Sequence, residues 1–317
     1  MAFTEHIIGK REQISWGTET TFGTAVTPTE IVGLNVVITP NFRTGWQEIL
    51  QSGADSLNIV SMQKGPRSYE FQMEFIPVSW KFLKYVMGSS TDNDEGAYYS
   101  HTIALSDTIQ TFTLEWAKRS ATNHVITLVS VSVKKCKIAW SKPAGEGNEG
   151  FIKVILDCVA KTATSGTAIT SLSAPTKVPY QFRMTKLTVG SSEIVRSNSG
   201  ELNLDRGVDP QDSRYANSTL DVDIGETIPK TFRIGMMSNI NITDSTFYNY
   251  WAAATVIGST NTLEFIRGSN DKITFTFTTA YPIDGTAATN LEGVDNVDFG
   301  FTAVSVAPVA NDDITSY

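Results

Sequence analysis

Apolar and polar residues alternate along much of this chain. Phe112, Leu114 and Trp116 alternate with Thr111, Thr113 and Glu115, and Ile273, Phe275 and Phe277 alternate with Thr274, Thr276 and Thr278. A period of two with one apolar face predicts strands in sheets buried on one side. Two short segments break the alternation: SWKFLKYVMG, which contains Phe82, Tyr85 and Val86, and DSTFYNYWAAA, which contains Phe247, Tyr250 and Trp251. Their i, i+3, i+4 spacing predicts one short helix in each, with these six residues facing the core. Ser79 and Asp244 stand where an N-cap is expected, and Gly88 where the first helix would end.

These two segments belong to a longer repeat. The helical residues match at an offset of 165. GPRSYEF before the first helix parallels IPKTFRI before the second, with Pro66 and Pro229 aligned. After the helices, TLEW (Thr113–Trp116) parallels TLEF (Thr262–Phe265), and NHVITL parallels NDKITF. The offset falls to about 148 there, so the first copy carries an insertion, assigned to SSTDNDEGAYY after Gly88. Each copy also has a long hairpin with a large polar loop before its proline. The expected fold is mainly β: two tandem β-sandwich or open-barrel domains, each flanked by one short α-helix. The expected boundaries are an N-terminal arm over 1–32, a first domain over 33–161, a Ser/Thr/Gly/Pro-rich linker over 162–177 and a second domain over 178–317.

Composition agrees with β structure. Of the 317 residues only 18% are charged, and the formal net charge of −8 gives no general reason to hold nucleic acid. The two cysteines, Cys136 and Cys158, lie in strand-like runs and read as buried free thiols rather than a disulfide framework. MAFTEHIIGKREQ lacks the apolar run of a signal peptide, and no stretch is long and apolar enough to cross a bilayer. A soluble protein made in the cytosol is expected.

Catalytic patterns are missing. His6, His101 and His124 are scattered and read as structural or surface residues. No HExxH, CxxC, GxSxG or P-loop pattern occurs, so neither an enzyme, nor a metal, nor a cofactor is expected. The one concentration of charge is GELNLDRGVDPQDSRYANSTLDVDIGE, whose carboxylates are not spaced as an EF-hand.

The N-terminal segment SWGTETTFGTAVTP carries the sharpest motif. Trp16, Gly17, Glu19, Phe22, Gly23 and Thr24 form a W-G-x-E-x-x-F-G-T pattern. The chain in this respect resembles the tail tube proteins (major tail proteins) of long-tailed, siphovirus-like bacterial or archaeal viruses. The resemblance implies β-sandwich domains of the tail-tube type. It implies rings that stack into the virion's tail tube, and genomic double-stranded DNA passing through without tight binding. Two domains per chain imply a trimeric ring with six domain positions. Implied partners are other copies of the chain, a tape-measure protein and tail-end proteins, with no membrane. Synthesis in the host cytoplasm is implied as well.

A DNA channel should repel phosphates, so carboxylates are expected on its wall. Asp205, Asp209, Asp221, Asp223 and Glu226 are the candidate lumen-facing residues. Trp16, Glu19, Phe22 and Thr24 are the candidate inter-subunit arm, with packing on the arm's own domain as the other placement. Two other readings compete: a distal-tail, baseplate or head–tail joining ring protein, and a carbohydrate-binding adhesive sandwich. The second would use Trp46, Trp80 and Trp251 as exposed aromatics.

Overall fold

The computed structural model describes residues 12–43, 46–49, 61–64, 67–143, 150–190, 192–194, 197–212, 224–228, 230–241, 256–258, 261–283, 287–288 and 296–317. The first half contributes β1 (Glu12–Thr18), β2 (Glu30–Ile31), β3 (Leu34–Arg43), β4 (Trp46–Ile49), β5 (Ser61–Lys64), β6 (Ser68–Ile76), α1 (Leu83–Met87), β7 (Gly88–Asp94), β8 (Tyr99–Leu105), β9 (Phe112–Lys118), β10 (His124–Ser141), β11 (Lys153–Ala160) and β12 (Thr162–Gly166). The second half contributes β13 (Thr185–Val189), β14 (Ser192–Ile194), β15 (Ser197–Asp205), β16 (Asp209–Asp212), β17 (Ile224–Ile228), β18 (Arg233–Asn241), β19 (Asn261–Gly268), β20 (Asp271–Ile283), β21 (Ala287–Ala288) and β22 (Asn296–Asp312). The fold is mainly β, and its large sheet is antiparallel throughout.

Both halves use the same strand order. In the first it runs β3–β6–β11–β10–β9–β1. In the second it runs β15–β18–β22–β20–β19–β13. A separate two-stranded hairpin follows the first strand of each series: β4 with β5, and β16 with β17. The matched sequences fall on matched strands: TLEW on β9 and TLEF on β19, NHVITL opening β10 and NDKITF opening β20.

Among the described residues, two strand-to-strand joints tie the halves together. Lys135–Ser141 of β10 pairs with Ser199–Asp205 of β15, so the sheet continues from one half into the other. Tyr99–Thr102 of β8 pairs with Val309–Asp312 of β22. The insertion after Gly88 therefore builds a β7–β8 hairpin that reaches the far end of the chain. At this second joint the buried His101 contacts Asp92 (Nδ1 to Oδ1, 2.7 Å) and Asp312 (Nε2 to Oδ1, 3.2 Å), and it stacks on Tyr317 at 3.7 Å. Burial alone would lower the His101 pKa, but the two carboxylates outweigh it and raise it. Burial likewise opposes ionisation of Asp312, yet bonds from His101 and Tyr317 hold its pKa low.

The core is continuous across the halves. Trp80 stacks on Phe265 with ring centroids 5.2 Å apart and also meets Tyr180 and Phe275. Trp80 is 1% exposed, which corrects its reading as an exposed aromatic for a sugar. Cys136 and Cys158 are buried free thiols, and burial pushes both pKa values up.

Three local expectations meet the structure differently. Phe82, Tyr85 and Val86 are buried as the helical spacing predicts, and Gly88 ends α1 in the left-handed region at φ 105°. Ser79 is not the N-cap. Helix α1 begins after Phe82, because Trp80 and Lys81 first accept tight-turn bonds from Leu83 and Lys84. Thr162–Gly166, read as the start of the linker, is a strand that pairs with Val125–Val129 of β10. Its threonines suit an edge strand as well as a loop. The second helical segment, with Asp244, Phe247, Tyr250 and Trp251, lies outside the described residues.

Candidate functional site: the open face of the long sheet

The sheet that crosses the β10–β15 joint has one apolar face and one polar face, as alternation requires. Met73, Leu156, Cys136, Ile138, Leu202, Leu204 and Met236 point into the core. Gln72, Glu74, Lys153, Asp157, Lys135, Lys137, Glu201, Asn203 and Asp205 therefore share the opposite face.

Charges interleave on that face. Lys135 Nζ lies 3.2 Å from Asp205 Oδ2, and Lys137 pairs with Glu201 across the same joint. Lys153 Nζ lies 2.8 Å from Glu74 Oε1, and Gln72 donates to Asp157 at 2.9 Å. Lys134, at a bulge in β10, reaches Glu70 at 2.9 Å. The Lys137 contact holds the Glu201 carboxyl below its ordinary pKa, with further help from Asn203. Each of these lysines thus already faces a carboxylate. A phosphate would have to displace that carboxylate before gaining a counter-charge. The described part of this face is balanced in charge, where a dominance of carboxylates was expected.

Of the candidate lumen-facing residues, Asp205 is on this face. It also accepts a bond from the Gly207 amide at 2.8 Å. Asp209 opens β16 and Glu226 lies on β17, opposite Gln211, where backbone pairing alone is described. Asp221 and Asp223 lie outside the described residues. Sequence reasoning named Asp205 but missed Lys135 and Lys137, and left Glu201 out of the candidates. The signal available was KKCKIAW, a charged/apolar alternation with basic residues on one side.

The N-terminal motif is placed inside this chain's own fold. Strand β1 pairs with β9 over seven positions, from Glu12↔Lys118 to Thr18↔Phe112. Trp16 is 2% exposed, packs edge-on against Phe75, Tyr85 and Phe112, and donates Nε1 to Glu30 at 2.9 Å. Gly17 has no room for a side chain, since a Cβ there would lie 2.8 Å from the Thr27 carbonyl oxygen. Glu19 is 2% exposed. It accepts four bonds: from Thr111 Oγ1 (2.9 Å), Thr113 Oγ1 (2.6 Å), Ser130 N (2.8 Å) and Ser130 Oγ (2.7 Å). Phe22 is half-buried beneath the Lys161 ammonium, 5.0 Å from its ring centroid, and Thr24 is exposed. Trp16 and Glu19 thus take the second of the two placements considered for the arm.

A search among curated proteins finds no match. The family model described as "Phage tail tube protein" matches residues 9–303, which include the N-terminal motif, both halves and the joint between them. The chain belongs to the phage tail tube protein family.

Proposed function

We propose that three copies of this chain form a ring whose six repeat units surround a channel. Such rings stack into the tail tube of a long-tailed virus and conduct its double-stranded DNA. The family supports a structural protein of the virion tail that assembles with itself into a tube. The observation that carries the finer reading is the β10–β15 joint. One strand order occurs twice, and the two series are hydrogen-bonded side by side into one sheet. Repeating that junction between chains closes a sheet on itself and leaves no edge.

In this reading the face bearing Lys135, Lys137, Glu201 and Asp205 lines the channel. Asp209, Asp221, Asp223 and Glu226 extend it towards the β16–β17 hairpin. The β4–β5 and β16–β17 hairpins, with Phe22 and Thr24 of the arm, reach the next ring. Trp16 and Glu19 anchor that arm from inside. Tape-measure and tail-end proteins close the assembly at its ends.

Negative-stain electron microscopy of the purified protein at high concentration, and of purified tails, tests this. The expected result is hollow tubes of uniform width built from rings with threefold symmetry and pseudo-sixfold appearance. Single rings that never stack would favour a distal or joining ring protein. Rings of six whole chains would overturn the trimer.

A further inference from the structure

The ring needs two sheet edges to meet, and the chain contains a template for how they do so. The long sheet runs β3–β6–β11–β10–β15–β18–β22–β20. Among the described residues β3 pairs with β6 alone, and Tyr281–Ile283 at the end of β20 pair with β22 alone. These are the two open edges.

The internal joint gives the register. Phe71 on β6 and Ile234 on β18 are counterparts at the offset set by Pro66 and Pro229. Phe71 faces Pro40 on one side and Ile234 faces Leu204, so Pro40 corresponds to Leu204. Two residues on, Met73 faces Leu156, which faces Cys136, while Met236 faces Phe301, which faces Pro282. Pro282 therefore corresponds to Cys136. Cys136 and Leu204 stand directly opposite each other in the joint.

We infer that the end of β20 pairs antiparallel with β3 of a second copy of this chain. Tyr281 stands opposite Asn41, Pro282 opposite Pro40, and Ile283 opposite Thr39. The inference rests on the ring reading above and specifies its seam.

Two further observations support this seam. Val37, Tyr281 and Ile283 are 57%, 47% and 37% exposed, which puts large apolar side chains on both edges of an otherwise polar face. Both edges also carry a proline whose nitrogen faces outward. In the internal joint, Arg206 N bonds to Lys134 O and Lys142 N to Asn198 O. Antiparallel pairs alternate, so Cys136 and Leu204 lie in the same hydrogen-bonded phase. Their counterparts Pro282 and Pro40 face outward for the same reason. On the β20 side, Ile257 N donates to Ala280 O, so the polar groups of Ala280, and those two residues later, point away from β22. An outward-facing proline costs an edge strand nothing and denies a donor to indiscriminate partners. It also makes the seam between chains poorer in hydrogen bonds than the joint within one.

Tyr281 and Asn41 fall in the non-hydrogen-bonded phase, where Cα atoms lie about 4.5 Å apart, within reach of a disulfide. The test is a chain carrying Asn41→Cys and Tyr281→Cys, assembled into tubes and oxidised. The expected product is disulfide-linked chains ending at a closed trimer on a non-reducing gel. Asn41→Cys with Ile283→Cys, shifted by two residues, should stay unlinked. Normal tubes in which the matched pair fails to link, or in which the shifted pair links instead, overturn this seam and leave the tube reading intact. If the double variant does not assemble, amide hydrogen exchange on wild-type tubes decides. The Ile38 amide, which faces outward two residues from Pro40, should exchange at least ~10-fold more slowly in tubes than in free protomers, and equal rates overturn the seam. A chain that forms neither rings nor tubes, in isolation or in tails, removes the ring reading and the seam with it.

Discussion

Glu19 is the residue on which the N-terminal motif turns. Its carboxylate has almost no contact with water, and four donors converge on it. Two of those donors belong to Ser130, whose φ of 52° is a left-handed value that serine seldom adopts. The pair of bonds holds that backbone where β10 breaks register with β9 between Leu128 and Val131. Removing the carboxylate strands four donors, three hydroxyls and one backbone N–H, in a buried site. Glu19→Ala should therefore destabilise the protein by about 3 kcal/mol or more, from lost charge-assisted bonds and unsatisfied donors. Thermal unfolding checks this, and an unchanged midpoint would sink the role given to Glu19. The motif was legible in sequence as a pattern of residue types. Its purpose was not, because the partners of Glu19 lie 92 to 111 residues away. An uncharged Thr/Gly-rich segment also has no periodicity to show which face is buried.

At the scale of elements, the β10–β15 joint is the most demanding contact. Trp140 lies opposite Gly200, and a Cβ on Gly200 would come within 2.3 Å of the indole and 2.8 Å of the Met237 carbonyl oxygen. The glycine is there so that the ring can lie flat against the neighbouring strand. Gly200→Ala should cost about 1–3 kcal/mol through overpacking. Combined with Trp140→Leu, it should cost clearly less than the sum of the two single changes. Simple additivity would mean that Gly200 acts through something other than the indole. Strands of this kind were readable from alternation, and the repeat foretold which strands correspond. The joint itself was not readable, because period two states which face is buried and says nothing of which edge meets which. Helix α1 shows the opposite limit. Its apolar stripe was legible, yet its start shifted by a few residues, since tight turns at Trp80 and Lys81 outcompeted a serine cap.

For the whole molecule, the question is what a DNA channel requires of its wall. Free cations would bind phosphates through counterion release, and each would slow passage. In the proposed ring, the wall around the joint limits this by pairing Lys135 with Asp205 and Lys137 with Glu201, both across the joint between halves. These pairs are substantially exposed, with Lys135 59% accessible, so their contribution to stability is small, roughly 1 kcal/mol or less each. They can be altered without unfolding the chain. Reversing Glu201 and Asp205 to Lys removes both partners and adds two further cations on the same face. Assembled tails carrying Glu201→Lys and Asp205→Lys should keep normal length and symmetry but eject DNA several-fold more slowly at low salt. The deficit should shrink as salt rises, since screening and counterion competition weaken each new phosphate contact. The matching control is Lys135→Glu with Lys137→Glu, which makes the face acidic and should leave ejection at least as fast as in the unaltered tail. Equal ejection rates for both reversals at every salt concentration would mean that this face does not meet the DNA. The joint would then have to turn its charged side outward, away from the channel.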